Sequence, residues 1–254
     1  MDKKNQITVI YFSPTGGTRK ACLNLAWSMG NKVRDMDLCG VEEEISFGPE
    51  DTVIVGMPVF GGRIPAFGRE KLSLLKGKGA AAVAVAVYGN RAFEDALLEL
   101  SDCLKEQGFV TAAGAALLAE HSMARSVAAG RPDSQDEKET RQFGKRILEK
   151  LSSDEVLEAE LPGNRPYRDW KPMPVTPLTN GSCISCGLCA ARCPVKAIPV
   201  NDPASTDADK CILCMRCISV CPVHARSLPE QAAAMLEQKL APVREIRRDN
   251  ELFL

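Results

Sequence analysis

A run of cysteines written twice constrains this chain more than anything else in it. Cys183, Cys186, Cys189 and Cys193-Pro194 form C-x2-C-x2-C-x3-C-P, and Cys211, Cys214, Cys217 and Cys221-Pro222 repeat the pattern 28 positions later. Eight of the eleven cysteines fall here, leaving only Cys22, Cys39 and Cys103 elsewhere. Three thiolates at two-residue gaps can wrap one face of a cubane iron-sulfur cluster, while the fourth, after a longer gap, reaches across to a second cluster. The spacing therefore assigns Cys183, Cys186, Cys189 and Cys221 to one [4Fe-4S] cluster (I), and Cys211, Cys214, Cys217 and Cys193 to another (II). The proline after each fourth cysteine turns the chain out of the site, and Gly187, Ala190 and Ala191 leave room for a cluster. Paired zinc knuckles also use C-x2-C units, but they need neither the third evenly spaced cysteine nor the proline.

Dense cysteine means different things in different compartments. The residues before Ile7 are polar, and no apolar run approaches the length of a membrane span, the best being residues 80–87. A cytoplasmic location is expected, where thiols stay reduced and serve as metal ligands or redox groups instead of forming structural disulfides. With 32 basic and 33 acidic residues the chain has no global field to attract nucleic acid or an anionic membrane. Its 45% hydrophobic and 26% charged residues describe a folded chain, not a disordered one.

From residue 7 to about 161, short apolar runs alternate with helical patterns, the rhythm of a doubly wound parallel sheet covered on both faces. Strands are expected at 7–12, 32–36, 52–56, 80–87 and 110–118, and helices at 18–29, 66–75, 92–107 and 135–151. Residues 162–178 carry Pro162, Pro166, Pro172, Pro174 and Pro177 beside Tyr167 and Trp170. This reads as a semi-rigid connector whose aromatics pack on something. The cysteine module follows at 179–228, then, over 229–254, a C-terminal helix, expected at 231–240, and a charged tail. The tail residues Arg244, Arg247 and Arg248 read as a solvated face, and Cys22, Cys39 and Cys103 as buried apolar thiols. His224 reads as a surface or helix-start histidine, and Arg192, Lys196 and Arg216 either offset cluster charge or are solvated.

The first strand runs directly into Ser13-Pro14-Thr15-Gly16-Gly17-Thr18 and then a helix. Amides at such a helix start converge on one point where the helix dipole favours an anion, and three hydroxyls add donors. A tight turn with an N-cap is the plainer alternative. The chain has no Walker A loop, and Gly77-Lys78-Gly79-Ala80-Ala81-Ala82 precedes a strand instead of following one, so it lacks the helix terminus a dinucleotide needs.

The segment S-x-T-G-x-T after strand one resembles the FMN phosphate loop of flavodoxins, and the cysteine module resembles two-cluster bacterial ferredoxins with all eight ligand positions filled. The whole chain is similar to the family of fused flavodoxin-like and two-cluster ferredoxin proteins of anaerobic bacteria and archaea. That resemblance implies a flavodoxin-like, doubly wound, five-stranded parallel sheet of order 2-1-3-4-5 over residues 1–161, followed by a small βαββαβ ferredoxin unit. In such a sheet, Pro58-Val59-Phe60-Gly61-Gly62, Tyr88-Gly89-Asn90-Arg91 and Glu120-His121-Ser122 meet the phosphate loop at the carboxyl edge. Ser13, Thr15 and Thr18, with the amides through Gly17, would hold the phosphate. Phe60 or Tyr88 would stack on the isoalloxazine or else cover the core, and Gly61 and Gly62 would allow close backbone approach. Asn90 would pair with the pyrimidine edge, and His121 would touch flavin or substrate or else serve its own loop.

The cofactors implied are FMN and two [4Fe-4S] clusters, and the activity is electron transfer between them. An FMN-dependent reductase of a quinone or nitro compound, fed by the clusters, is a second reading, and a phosphate-sensing scaffold with structural clusters a third. A redox partner protein or small acceptor is expected, and a homodimer is compatible with the sequence. Each oxidised cluster with four thiolates adds about two negative charges, so the loaded molecule is more acidic than its formal charge of -1.

Overall fold

Strand sequences in the first half are apolar on both faces, as a sheet covered on both sides requires. The computed structural model describes residues 6–153 and 156–254; the polar start through Asn5 and residues 154–155 lie outside the described residues. Five parallel strands, β1 (Gln6–Tyr11), β2 (Lys32–Asp37), β4 (Thr52–Pro58), β6 (Ala81–Tyr88) and β7 (Val110–Leu118), lie in the order β2-β1-β4-β6-β7. In β6, Ala82, Ala84 and Ala86 face one core with Ile10, Phe12, Val53 and Val55, while Val83, Val85 and Val87 face the other with Val9, Ile54 and Leu117. Helices α1 (Gly17–Met29) and α4 (Ser134–Leu151) cover the second core; α2 (Ala66–Leu72) and α3 (Ala96–Glu106) cover the first.

The five-stranded expectation is short by one strand. The chain end, β10 (Glu251–Phe253), pairs antiparallel with β7 at the sheet edge, Glu251 opposite Ala116 and Phe253 opposite Gly114. Asn250 prepares this pairing, since its Oδ1 accepts the Leu118 N–H at 2.8 Å and its Nδ2 donates to Asp136 and Glu139. The helix expected to continue to residue 75 ends at Leu72, because Leu75–Lys76 form a short strand, β5, beside β3 (Ile45–Ser46). The helix expected from residue 92 starts at Ala96. α4 begins in a capping box, Asp133 accepting from the Gln135 and Asp136 amides.

The cysteine segment is mostly irregular. Two four-residue helices, α5 (Leu188–Ala191) and α6 (Arg216–Ser219), and one antiparallel ladder, β8 (Leu178–Thr179) with β9 (Arg226–Ser227), are the regular elements of the βαββαβ expectation. The proline-rich connector lies against α3. The backbone N–H groups of Asn164 and Arg168 donate to buried Asp95, Arg165 and Tyr167 bond Asp102, and Arg63 sits over the Tyr167 ring at 4.7 Å. α7 (Glu230–Arg244) then leads the tail back across the carboxyl edge of the sheet. No helix among the described residues is long and apolar enough to cross a membrane.

Gly56 sets how closely α1 approaches the sheet. A Cβ there would lie 2.2 Å from the Cys22 sulfur and 3.2 Å from the Thr18 methyl carbon. Gly56→Ala should therefore cost roughly 1–3 kcal/mol through overpacking. Combined with Cys22→Ala, which removes the obstructing sulfur, it should cost clearly less than the sum of the two single changes. Denaturant midpoints of the three variants check this, and strict additivity would show that the contact does not limit the helix.

Candidate functional site

The duplicated cysteines are duplicated in space. Cys183, Cys186, Cys189 and Cys221 line one hollow, with Pro203, Ala225 and Arg226 on its wall. Cys193, Cys211, Cys214 and Cys217 line a second, walled by Ile198, Ile212 and Met215. The fourth cysteine of each run thus crosses to the other hollow. Each crossing sulfur accepts an equivalent backbone bond, Ala197 N–H to Cys193 and Ala225 N–H to Cys221, both at 3.2 Å. Burial pushes the Cys214 thiol up to about 12 and Cys217 up to about 11. At Cys221, burial is outweighed by the backbone N–H groups of Ala225, Val223 and Arg226, which hold the thiol below its ordinary value. Four convergent sulfurs with N–H donors suit a thiolate-held cluster, whose iron displaces protons that buried thiols would otherwise keep.

The two hollows face different surroundings. Cys186 is exposed, and Ile184, which also lines the first hollow, is open to solvent. Ile212 and Cys214 of the second pack on the α/β core. From α6, Arg216 enters the α/β domain. Its guanidinium donates to Ser13 O at 3.1 Å, Pro14 O at 3.4 Å, Asp37 at 3.2 Å and the Cys39 sulfur at 3.0 Å. Of the two readings the sequence left open for Arg216, the solvated one fails, since the residue is buried and paired. Cys39 is likewise no apolar core thiol. It sits half-buried at this junction with its thiol pushed up to about 11, chiefly by burial and by Asp37, against the pull of Arg216.

Beside that contact lies the loop of residues 13–18. Gly16 adopts a left-handed conformation (φ 92°), which lets the chain turn sharply into α1, and no side chain caps that helix through Gly16. Ser13 Oγ accepts the Arg19 N–H at 2.9 Å, and Thr18 is turned inward toward Gly56. The hydroxyls of Ser13 and Thr18 are thus placed in the fold, while Thr15, Gly16 and Gly17 line a cleft of about 320 Å³. Its other walls include Lys20, Ser122 and Arg131 and, from the cysteine module, Met215, Ile218 and Ser219. The first turn of α1 carries no acidic residue, and the open amides of a helix start, with Lys20 on the cleft wall, suit an anion; Arg19 is turned away to pair with Asp35, and Glu120 of the wall is paired with Arg125.

The neighbouring loops are closer packed than the sequence suggests. Phe60 and Arg63 bridge across a tight turn, and Phe60 and Val59 stay half-buried. Trp170 of the connector lies over Gly61, and Glu94 and Arg168 lie against Gly62. The Tyr88 ring is enclosed, edge-on to Phe93, so of the two expected stacking aromatics only Phe60 keeps partial exposure. Gly89 is pressed against His121, 2.5 Å from where a Cβ would stand. Asn90 donates its amide to Val243 O and Ile246 O at 2.7 and 2.6 Å, while its buried Oδ1 has no partner. The tail arginines lie at the surface as expected, Arg247 and Arg248 exposed and Arg244 half-buried, but each is paired: Arg248 donates to Asn90 O, Arg247 pairs with Asp133, and Arg244 with Glu237 of its own helix.

His121 belongs to its own loop, Nδ1 accepting the Met123 and Ala124 N–H groups. Burial, aided by the positive charge of Arg91 and opposed by Glu237, pushes its imidazole below the ordinary 6.5. The folded protein keeps it neutral where the unfolded chain protonates it, so its contribution to stability is lost as pH falls below 6.5. His121→Asn, which offers Oδ1 in place of Nδ1, should flatten that loss between about pH 7.5 and 5.5 in urea melts. An unchanged pH slope in the variant would contradict the assignment.

Residues 182–225 match a family described as a 4Fe-4S dicluster domain. No curated protein matches the chain. Among solved structures, a flavodoxin from the domain Archaea is 17% identical, with 58% of this chain and 99% of the flavodoxin covered at a TM-score of 0.41. Flavodoxin 1 from Bacillus cereus is 18% identical over 58% and 99% at 0.43, and an NADH:FMN oxidoreductase in its apo form is 15% identical over 59% and 91% at 0.41. At these scores the fold assignment rests on the strand order itself. The chain joins an α/β domain of flavodoxin-like topology to a ferredoxin-type 4Fe-4S domain.

Proposed function

We propose that this protein transfers electrons between two [4Fe-4S] clusters and FMN. Cluster I is held by Cys183, Cys186, Cys189 and Cys221, and cluster II by Cys211, Cys214, Cys217 and Cys193. The flavin phosphate sits in the cleft at Thr15, Gly16 and Gly17, with Pro14 shaping the loop and Ser13 and Thr18 supporting it from within. The ring lies toward Pro58, Val59 and Phe60 on one side and Gly89, Asn90 and Arg91 on the other, while Gly61 and Gly62, covered by Trp170, Glu94 and Arg168, shape the turn behind Phe60. The buried, unpartnered Oδ1 of Asn90 supports this placement, because an acceptor without a donor is costly inside a protein and a flavin N–H would satisfy it. Tyr88 and His121 act from behind, by packing the loops.

One observation carries the reading: Met215, the residue after Cys214, lines the same cleft as Thr15, Gly16 and Gly17. The cysteine loop of cluster II and the anion site are therefore two walls of one space. Cluster I faces outward, where Cys186 and Ile184 are exposed, and is the port for a redox partner protein or a small acceptor. Electrons then pass through cluster I and cluster II to the flavin or in reverse. A flavin takes up two electrons while a cluster passes one at a time, so the pair interconverts the two kinds of transfer. The abundance of free thiols suits a reducing, cytoplasmic setting.

Protein isolated under argon should contain about eight iron and eight sulfide atoms per chain, as two four-iron clusters require, together with one FMN. Cys214→Ser should lower the iron while leaving the flavin. Dithionite should bleach both the flavin and the iron-sulfur absorption. Flavin reduction with no change at an iron-sulfur centre, or a purified protein that takes up no FMN, would contradict the function.

A further inference from the structure

The two halves of the cysteine segment share backbone conformation position by position. Left-handed residues recur at Ser185 and Leu213 (φ 52° and 53°), Gly187 and Met215 (72° and 63°), and Lys196 and His224 (52° and 51°). The first half has Cys186-Gly187-Leu188-Cys189 where the second has Cys214-Met215-Arg216-Cys217. Glycine suits a left-handed residue and methionine does not, so the second half keeps a strained side chain where its own repeat shows a relaxed one. The surroundings explain the exchange. A Cβ on Gly187 would meet nothing within 4 Å, and Leu188 is 37% exposed, whereas Met215 is 3% exposed and Arg216 9%.

We propose that Met215 and Arg216 are positioning residues that lock cluster II to the phosphate loop and so fix the gap between cluster and flavin. The proposal rests on the flavin reading for its electron-transfer part and on the geometry alone for the lock. Arg216 binds two carbonyls of the loop, Ser13 O and Pro14 O, with Asp37 and Cys39 completing its set, and its guanidinium stands 6.0 Å from the Phe12 ring centre. A planar group with several divergent donors can hold that set together; a lysine can hold only part of it. Met215 follows the ligand Cys214 directly and forms cleft wall, so only one residue separates the cluster sulfur from the flavin space. The step it serves is a one-electron transfer in which cluster II loses the electron that the flavin gains.

The repeat supplies its own control. Met215→Gly combined with Arg216→Leu rewrites the second half with the residues of the first, a sequence already compatible with a cluster loop. Iron and sulfide should stay at the parent level. Amide exchange of residues 13–19 in the iron-loaded protein should quicken roughly tenfold or more, the factor that corresponds to one lost charge-assisted hydrogen bond. The rate at which flavin follows cluster reduction by dithionite in anaerobic stopped flow should fall, with Arg216→Lys between the parent and the double variant. Exchange and rate equal to the parent would overturn the proposal. If the parent binds no FMN, the flavin reading fails and amide exchange alone decides the lock. If the double variant loses iron, faster exchange in Arg216→Gln than in Arg216→Lys supports the lock, and equal exchange overturns it.

Discussion

The cysteine domain cannot hold itself together by burial. Its own apolar cluster has only Cys189, Ala190 and Ile198 as buried members, and its regular elements are two single-turn helices and a two-residue ladder. A segment this poor in core depends on what its thiolates bind and on what it leans against. Each run of three cysteines and one crossing cysteine surrounds a hollow. Docking then places the second hollow on the α/β core through Ile212 and Cys214, with Arg216 reaching the loop of residues 13–18. The ends of the chain reinforce the arrangement. The connector binds α3 through Asp95 and Asp102, and the tail closes over Asn90 before adding a strand to the sheet.

Much of the α/β domain was legible because its signals are local. Alternating alanine and valine in β6 and the apolar run of β7 announce buried parallel strands, and those strands fall within a few residues of expectation. The gathering of the cysteines into two sets of four was legible because a spacing repeated twice has few physical uses. What stayed hidden depends on partners far along the chain. Glu251–Phe253 is too short and too polar in its flanks to signal a strand, and it becomes one only because β7 offers an open edge and Asn250 is held by Asp136 and Glu139. Arg216 could not be distinguished from a solvated arginine, since Ser13, Pro14 and Asp37 lie far away in sequence. Here a signal did exist: aligning the two cysteine runs shows Gly187-Leu188 replaced by Met215-Arg216.

Side chains chosen by type for the flavin divide into two groups once placed. Thr15, Gly16 and Gly17 face a cleft, and Phe60 is left half-buried. Tyr88, His121, Ser13 and Thr18 are spent on the fold itself, holding the loops that carry the others. Residue type cannot reveal this division, because a hydroxyl or ring suited to a ligand is equally suited to a cap or a core. The fold resolves it by burial, which leaves backbone and small residues nearest the cleft, as binding at a helix start favours.

The central claim is that cluster II, and not cluster I, adjoins the flavin. Crystals grown under argon from cofactor-loaded protein, with anomalous diffraction recorded at the iron edge, test it directly. The account predicts two iron centres, with flavin density whose phosphate lies at Thr15, Gly16 and Gly17 and whose nearer iron centre is bound by Cys193, Cys211, Cys214 and Cys217. Flavin bound nearer the centre held by Cys183, Cys186, Cys189 and Cys221, or a cleft without flavin in flavin-containing protein, would contradict it.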